Sequence, residues 1–198
     1  PGHLFSVVPD HRDDPVRGYP AFRFADRCDV PLVAVCHQPY QWELHRGYPV
    51  VFLARNAYDV MVSGYHHLVH QKGEYAGTMG EFIKHPRLGL PAWTSYINGW
   101  SPKLLTHRDA LLLGYGELST DAGGALRRVL RFLNHDPHDE WVEAAVTAAE
   151  RWRGGNGIRT GQEGNFWDHL QPDAIFDIQE GVVRDLTRVS TTLLERMG

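Results

Sequence analysis

Arg55 stands between a short apolar run, residues 50–53, and a stretch with helical periodicity. Its guanidinium carries N–H donors in a planar fork that suits the oxygens of phosphate or sulfate. Asn56 has the side chain of a helix N-cap, and the first turn after it presents backbone N–H groups and the positive end of the helix dipole. The stretch therefore predicts an anion-binding site, although a surface ion pair with Asp59 is the alternative use of this arginine.

Two further residues whose side chains could act on or bind a ligand stand at the ends of apolar runs. His37 follows residues 30–36, and Tyr115 closes the run of residues 110–115. In a parallel α/β sheet, ligands bind beyond the carboxyl ends of the strands. We therefore expect His37, Arg55 and Tyr115 at or near such ends, where the imidazole of His37 either acts on a ligand or caps a loop.

His66 and His70 lie four residues apart in the predicted helix that follows Arg55. Two histidines with this spacing can bind a metal ion from one helix face. The pattern lacks the glutamate of a zinc-protease motif, so lining of a substrate pocket or simple solvation is favoured over metal binding. A metal-dependent hydrolase built on these two histidines stays open as an alternative.

Strands followed by helices are predicted for the part of the chain that positions these residues. The apolar runs predict strands at residues 30–36, 50–53 and 110–115. Helical spacing is found at residues 78–84, 92–100, 121–133, 140–151 and 172–197, the last interrupted near Gly181, and a glycine-rich loop covers residues 153–164. This order predicts an α/β fold with three layers, in which helices flank a central parallel sheet whose strands are buried on both faces.

One domain is predicted for residues 1–198, because the chain shows no interdomain linker and no internal repeat. Residues 1–29 are rich in Pro, Gly, Asp and Arg without a sustained period. They therefore predict an irregular leading segment.

The net charge of -4 argues against general nucleic-acid binding. No apolar run approaches the ~20 residues of a membrane span, and no secretory signal is recognised, so a cytoplasmic location without membrane contact is predicted. Lysine occurs only at Lys72, Lys84 and Lys103, and arginine supplies the other positive side chains. That bias hints at a bacterial source.

The motif at residues 55–63 resembles the one that binds the donor's 3′-phosphate in sulfotransferases that use PAPS, 3′-phosphoadenylyl sulfate. The family motif has the form Arg-Asn-x-x-Asp-x-x-x-Ser, and this chain matches it in register with Arg55, Asn56, Asp59 and Ser63. The resemblance implies an α/β fold of the sulfotransferase and P-loop nucleotide-binding type. It also implies that Arg55 and Ser63 hold the 3′-phosphate.

Other segments resemble the family in the same order along the chain. The sequence CHQP resembles the family's Thr-His-x-Pro, which implies that His37 is the general base toward the acceptor hydroxyl. The turn after the strand at residues 110–115 resembles a family segment near the adenine, which implies that Tyr115 lies there. The loop IRTGQEGNFW resembles the terminal Arg-Lys-Gly-x-x-Gly-x-Trp loop. This last resemblance implies that the donor is also bound by Arg159, Thr160 and Gly161, with Phe166 at the tryptophan position.

Aromatic and histidine side chains between residues 65 and 100 supply the predicted acceptor pocket. The helix at residues 92–100 resembles a Trp-x-x-His-x-x-x-Trp helix of the family, with Tyr96 in place of the histidine. The predicted pocket residues are His66, His67, Trp93 and Tyr96. As an alternative, Trp93, Tyr96 and Trp100 are core aromatics and nothing more.

The family's phosphosulfate-binding loop, Tyr-Pro-Lys-Ser-Gly-Thr-Thr-Trp, has no recognisable counterpart before Val35. No lysine precedes Lys72, Val35 stands where a lysine often precedes the histidine, and Thr160 replaces the lysine after the loop arginine. We expect that the sequence shown lacks its true N-terminal section. A degenerate enzyme is the alternative.

Taken together, the resemblance implies transfer of a sulfonate group from PAPS to a hydroxyl of a small molecule or a glycan. The product of the donor is PAP, adenosine 3′,5′-bisphosphate, and no metal is implied. Such a transfer resembles phosphoryl transfer in needing alignment and charge neutralisation more than covalent help. The alternative function is a non-catalytic module that keeps only the half of the site that binds the nucleotide 3′-phosphate.

Overall fold

The computed structural model describes residue 36, residues 39–155 and residues 164–196. The chain forms two compact units, Pro1–Tyr48 and Pro49–Gly198. In the described part of the first unit, Trp42–His45 form a short helix, α1. The strand predicted at residues 30–36 and the leading segment of residues 1–29 lie outside the described residues, except for Cys36.

The described part of the second unit contains two strands and eight α-helices. In chain order they are β1 (Val50–Ala54), α2 (Ala57–His66), α3 (Met79–Lys84), α4 (Leu90–Thr106), β2 (Ala110–Gly114), α5 (Tyr115–Thr120), α6 (Ala122–Phe132), α7 (Asp139–Gly155), α8 (Pro172–Asp185) and α9 (Arg188–Glu195). A π-helical turn (His67–Gln71) continues α2, and a 3₁₀ turn (Asn165–Asp168) precedes α8. None of the described helices combines the length and the apolar character needed to cross a membrane.

The two strands pair in parallel, as the order of strands and helices predicts. Val50 lies opposite Ala110 and Ala54 lies opposite Gly114, so both strands end at the same level. A parallel pair needs a long crossover connection, and here α2, α3 and α4 supply it. The predicted α/β class with a parallel sheet is confirmed, while β2 ends one residue earlier than predicted because Tyr115 begins α5.

β1 is buried on one face only, so the prediction of a strand buried on both faces is wrong. Phe52 and Ala54 are 6% and 2% exposed, whereas Val51 and Leu53 are 37% and 47% exposed. Successive side chains of a strand point to opposite faces, so a continuous apolar run puts half of its side chains on each. The buried face packs against α4, since the ring of Phe52 lies 5.8 Å from the Trp100 ring.

The described core lies where α2, α3 and α8 meet the start of α4. Its fully buried side chains include Met61, Phe82, Leu90 and Ile178. α4 begins two residues earlier and ends six residues later than predicted, and it continues through Pro102. Proline removes one helical hydrogen bond, but the burial of Trp100 and other side chains around it stabilises the helix.

The later helices follow the predicted order with two differences. α6 lies within the predicted bounds; its apolar side chains Leu126, Val129 and Leu130 are half-buried, and Ala125 is fully buried. α7 runs to Gly155, so the predicted glycine-rich loop starts later than residue 153. The prediction of an interruption near Gly181 is wrong: α8 continues through it to Asp185. A Cβ at position 181 would lie 2.5 Å from Leu90 Cδ2, so the glycine there serves close packing.

Asn98 connects α4 to the turn between α8 and α9. Its Nδ2 donates to the carbonyl oxygen of Asp185 at 2.8 Å. Its Oδ1 accepts from the Thr187 amide at 2.9 Å and from Ser190 Oγ at 2.7 Å. These bonds satisfy backbone groups where one helix ends and the next begins, which explains why the helical pattern breaks at residues 186–187.

Lys103, near the end of α4, is 2% exposed and forms a partly buried ion pair. Its Nζ donates to Asp109 Oδ2 at 2.8 Å. The carbonyl oxygen of Asp109 accepts from the Val50 amide at 2.8 Å, so the pair fixes the amino ends of both strands. Hydrogen bonding from Lys103 lowers the pKa of the Asp109 carboxyl below its ordinary value.

We expect this pair to shape the acid unfolding of the chain. Because the pKa of Asp109 is lower in the folded state, the pair stabilises the fold above the ordinary carboxyl pKa of about 3.9. That stabilisation is lost as the pH falls through the lower, folded-state pKa. In Lys103→Met, the free energy of unfolding should therefore fall less steeply below about pH 4, as measured by urea denaturation across the acid range. Asp109→Asn should weaken the pH dependence of the free energy of unfolding to a similar extent, and the double variant should show the same pH dependence as the single variants. An unchanged acid slope in both single variants contradicts the prediction.

Candidate functional site

Arg55 and Tyr115, two of the residues predicted to bind the donor, lie in contact. β1 ends at Ala54 and β2 ends at Gly114, and these two residues are partners in the parallel register. The next residue of each strand therefore emerges at the same edge of the sheet. The guanidinium carbon of Arg55 lies 4.4 Å from the centroid of the Tyr115 ring, a cation–π contact.

Asn56 caps α2 as predicted. Its side-chain oxygen accepts a hydrogen bond from the Asp59 amide at 2.8 Å. Its Nδ2 also donates to Asp59 Oδ2 at 2.8 Å, so the two side chains bind each other at the start of the helix. This arrangement takes up one of the N–H groups at the helix start and fixes the turn on which Arg55 stands.

The carboxylate of Asp59 faces Arg55 from inside the protein. Asp59 Oδ2 lies 3.7 Å from Arg55 Nε, and the Arg55 side chain is 19% exposed while that of Asp59 is 0% exposed. The predicted ion pair with Asp59 is therefore present, but it is not an ordinary surface pair, because one partner is fully buried. Arg55 has the face of Tyr115 on one side and a buried negative charge on another, which restricts the orientation of its guanidinium.

The same carboxylate oxygen binds a distant part of the chain. The Gly164 amide donates to Asp59 Oδ2 at 2.7 Å across a sequence separation of 105 residues. Gly164 has a φ of 86°, a left-handed conformation that glycine adopts without steric cost. The end of the glycine-rich segment is thus bound to the first turn of α2.

A ring contact strengthens this attachment. Phe166 stacks on Tyr58 with ring centroids 4.6 Å apart and an interplanar angle of 19°. Tyr58 belongs to the same helical turn as Asp59. Two successive contacts, one polar and one aromatic, therefore bind residues 164–166 to the start of α2. Arg159, Thr160 and Gly161, which precede them, lie outside the described residues.

Ser63 and His37 complete the residues predicted to act on the donor or acceptor. Ser63 is exposed on α2, one helical turn beyond Asp59. Its hydroxyl is accessible to a ligand, and its role as the second phosphate ligand stays a prediction. His37 lies outside the described residues.

Two of the predicted acceptor residues belong to α4. The Tyr96 ring lies 5.7 Å from that of Phe52 and 6.2 Å from that of Trp100. Trp93 is partly buried and packs against the core. Trp93, Tyr96 and Trp100 thus all take part in packing. The contacts support the alternative of core aromatics for Trp100, which is 3% exposed, while acceptor contacts of Trp93 and Tyr96 stay a prediction.

The two predicted acceptor histidines lie at the end of α2. The His66 ring lies 5.1 Å from that of His70 and 5.4 Å from that of His169. His67 is exposed, and its Nδ1 lies 2.7 Å from Gln71 Oε1. Among the described residues, no group of three or more His, Cys, Asp or Glu side chains is placed to hold a metal ion.

Two features of the site could not be predicted from the sequence: the bond between Asp59 and Gly164, and the approach of His169 to His66. Asp59 does carry a signal, since it belongs to the motif at residues 55–63. Its distant partner has none, because a bond across 105 residues leaves no periodic pattern. His169 likewise meets His66 only through the tertiary fold.

Comparison with known proteins gives a family match. Residues 44–188 match the model of the family described as "Sulfotransferase domain". Human sulfotransferase 2A1 is 31% identical over 97 residues, which cover 42% of this chain and 30% of that protein. Human sulfotransferase 1E1 is 27% identical over 131 residues, which cover 61% of this chain and 44% of that protein. The chain spans less than half the length of these curated relatives.

Solved structures with the same fold are also found. The mouse sulfotransferase SULT7A1, crystallised with PAP, matches with a TM-score of 0.62 and 17% identity over 73% of this chain and 61% of that one. Retinol dehydratase in complex with androsterone and PAP matches with a TM-score of 0.56 and 19% identity over 70% of this chain and 47% of that one. At these identities the likeness shows a common fold. Because the family match covers most of the sequence, including the whole Arg55 to Ser63 motif, the chain belongs to the sulfotransferase family.

Proposed function

We propose that this chain binds PAPS through the nucleotide 3′-phosphate and takes part in sulfonate transfer to a hydroxyl of a small molecule or a glycan. The observation that carries the proposal is the Arg55 guanidinium, held against Tyr115 where two parallel strands end together. Ligands of parallel α/β sheets bind beyond this edge. We place the activity in the cytoplasm and assign residues 1–198 to one sulfotransferase-like domain.

Charge and geometry support an anionic ligand at Arg55. The Arg55 side chain is 19% exposed, and its guanidinium packs on an aromatic face, so its donors are oriented before the ligand arrives. Pre-orientation reduces the entropy that binding costs. The exposed Ser63 hydroxyl, on the helix α2 that follows Arg55, offers a further donor, and together the two groups suit a phosphate dianion.

The ligands of the two structural neighbours support PAPS as the donor and a small molecule with a hydroxyl as the acceptor. Both neighbours hold PAP, and retinol dehydratase also holds androsterone, an apolar small molecule that bears a hydroxyl. Aromatic side chains such as Trp93 and Tyr96 suit an acceptor of this kind. We therefore favour a small-molecule acceptor over a glycan.

In the proposed reaction, the acceptor oxygen forms a bond to sulfur while the bond between sulfur and the donor's phosphate oxygen breaks. His37 takes the proton of the acceptor hydroxyl, and PAP leaves with the electron pair of the broken bond. General-base assistance of this kind contributes about a hundred- to ten-thousand-fold to the rate. Arg55 and Ser63 act at the other end of the donor, where they hold the 3′-phosphate and align the nucleotide.

A second candidate function is a binding module that holds the nucleotide 3′-phosphate without transferring the sulfonate. The observation that favours it lies within the sequence: Val35 and Thr160 stand at two positions where the family motifs carry lysine. With fewer positive side chains near the donor, the charge that develops on the leaving group has fewer partners. This candidate shares the Arg55 site with the first and differs only in the transfer step.

Calorimetry with PAP and with adenosine 5′-monophosphate tests the shared part of both proposals. We expect PAP to bind at least tenfold more tightly, because only PAP carries the 3′-phosphate, and a charge-assisted hydrogen bond contributes about 1.5–3 kcal/mol. Equal affinities contradict both candidates. Sulfonate transfer from labelled PAPS to phenols, sterols and sugars then separates them. Turnover that falls at least a hundredfold in His37→Ala supports the enzyme, and PAP binding without turnover supports the binding module.

A further inference from the structure

Asp59 is a buried carboxylate that contacts polar groups from two distant parts of the chain, residues 55–56 and Gly164. Its Oδ2 accepts from Asn56 Nδ2 at 2.8 Å and from the Gly164 amide at 2.7 Å. The same oxygen lies 3.7 Å from Arg55 Nε. A fully buried carboxylate is costly unless hydrogen bonds and a nearby positive charge compensate it. Such a residue is a candidate for a function beyond supporting the Asn56 cap.

Asp59 does not suit direct contact with the ligand. A carboxylate repels a phosphate dianion, and Asp59 is 1% exposed. Its effect on an anion at Arg55 must therefore pass through the groups that it holds. Those groups are the arginine predicted to bind the phosphate and the glycine that ends the glycine-rich segment.

We infer that Asp59 is the positioning residue of the nucleotide 3′-phosphate site: it orients the Arg55 guanidinium and binds the end of the glycine-rich segment at Gly164. The inference rests on the proposed function for the identity of the ligand. The stack of Phe166 on Tyr58 acts beside it, since it holds the residues just after Gly164 against the same helical turn. One buried oxygen thus contacts two parts of the chain that are far apart in sequence, Arg55 and Gly164.

Two substitutions separate the geometry of Asp59 from its charge. Asp59→Ala removes the acceptor for the Gly164 amide and the partner of Arg55. Asp59→Asn keeps an acceptor oxygen where Oδ2 lies, and its amide group takes the place of Oδ1, which has no hydrogen-bond partner among the described residues. Asp121→Ala is a matched control, because Asp121 also accepts from a glycine amide, that of Gly124 at 2.8 Å, but within the first turn of α6.

The measured quantity is the ratio of the affinities for PAP and adenosine 5′-monophosphate. A change that only destabilises the fold lowers both affinities alike and leaves this ratio unchanged. We expect the ratio to fall about tenfold in Asp59→Ala, the equivalent of one charge-assisted hydrogen bond. The ratio should stay within about threefold of the parent in Asp121→Ala. Asp59→Asn keeps the acceptor for Gly164 but loses the negative charge that faces Arg55, so its ratio should lie between those of the parent and Asp59→Ala. In an Arg55→Ala background, Asp59→Ala should have no further effect on the ratio, because Asp59 acts through Arg55.

Hydrogen exchange of the Gly164 amide provides a readout that needs no nucleotide. We expect slow exchange in the parent and in Asp59→Asn, and faster exchange in Asp59→Ala, where the acceptor is lost. If the parent prefers PAP and Asp59→Ala keeps that preference, the inference is overturned and the proposed function stands. If the parent shows no preference for PAP, both fail. If the Gly164 amide exchanges equally fast in all variants, the claim that Asp59 holds Gly164 is overturned, whatever the affinity ratios show.

Discussion

Replacing Arg55 by alanine is expected to weaken PAP binding about a hundredfold, or about 3 kcal/mol, with little change in the affinity for adenosine 5′-monophosphate. The guanidinium is the charged group predicted to face the 3′-phosphate, and its loss removes charge-assisted hydrogen bonds to a dianion. Asp59 is then left buried without its positive neighbour, so a modest loss of stability should accompany the loss of affinity. Calorimetry with both nucleotides measures the affinities, and urea denaturation measures the stability.

Arg55→Lys separates charge from shape at the same position. Lysine keeps the positive charge, but it lacks the planar fork and the broad contact with the Tyr115 ring. We expect it to recover only part of the loss, with PAP binding still about tenfold weaker than in the parent. Arg131→Lys, at an exposed position of α6, serves as the control and should bind PAP like the parent. Full affinity in Arg55→Ala contradicts the assignment of Arg55 to the phosphate.

Replacing Gly89 by alanine is expected to have the largest effect on stability. Gly89 is buried and precedes α4, and its carbonyl oxygen accepts from the Ala92 amide at 3.1 Å. A Cβ at this position would overlap the carbonyl oxygens of Phe82 and Ile83 and would lie 2.8 Å from the carbonyl carbon of Ile83. These are backbone atoms at the end of α3, which a rotamer change cannot move aside. The expected loss is about 3 kcal/mol, at the upper end for overpacking.

Gly80→Ala is the matched control for that substitution. Gly80 lies inside α3, and a Cβ there would meet no other atom within 4 Å. Alanine is favoured over glycine in a helix by about 1 kcal/mol, so Gly80→Ala should leave the stability unchanged or raise it. In thermal unfolding, Gly89→Ala should lower Tm by about 10 °C, on the scaling of about 2–4 °C per kcal/mol for chains of this size. A Tm for Gly89→Ala equal to that of Gly80→Ala would show that the α3 to α4 turn relaxes at no cost.

The local features of the fold could be predicted from the sequence because they depend on neighbouring residues. The cap at Asn56 and the helix at residues 79–84 follow from short-range patterns, and the structure confirms both. The parallel pairing of β1 and β2 also follows, since strands separated by helices favour it. The contact of Arg55 with Tyr115 then depends only on two strands ending at the same level.

The features that could not be predicted depend on tertiary packing. The sequence suggests a break at Gly181, but the helix continues there because Leu90 of another helix packs against the glycine. Likewise, Val51 and Phe52 look alike in an apolar run, and only the position of α4 makes one exposed and the other buried. Asp59 and His66 each also contact a residue about a hundred positions away, Gly164 and His169, beyond the reach of any periodic pattern.

The bond between Asp59 and Gly164 also has a consequence for folding kinetics. It joins residues 105 positions apart, so the entropy of closing that long segment must be lost before the bond forms. We therefore expect the proposed phosphate site to assemble late, once α2 has formed and Gly164 has reached it. PAP would bind the completed fold and not a partly folded chain, and at a concentration a hundred times its Kd it would stabilise the native state by about 2.7 kcal/mol. If PAP binds at this site as proposed, its binding reports that Gly164 has reached the start of α2.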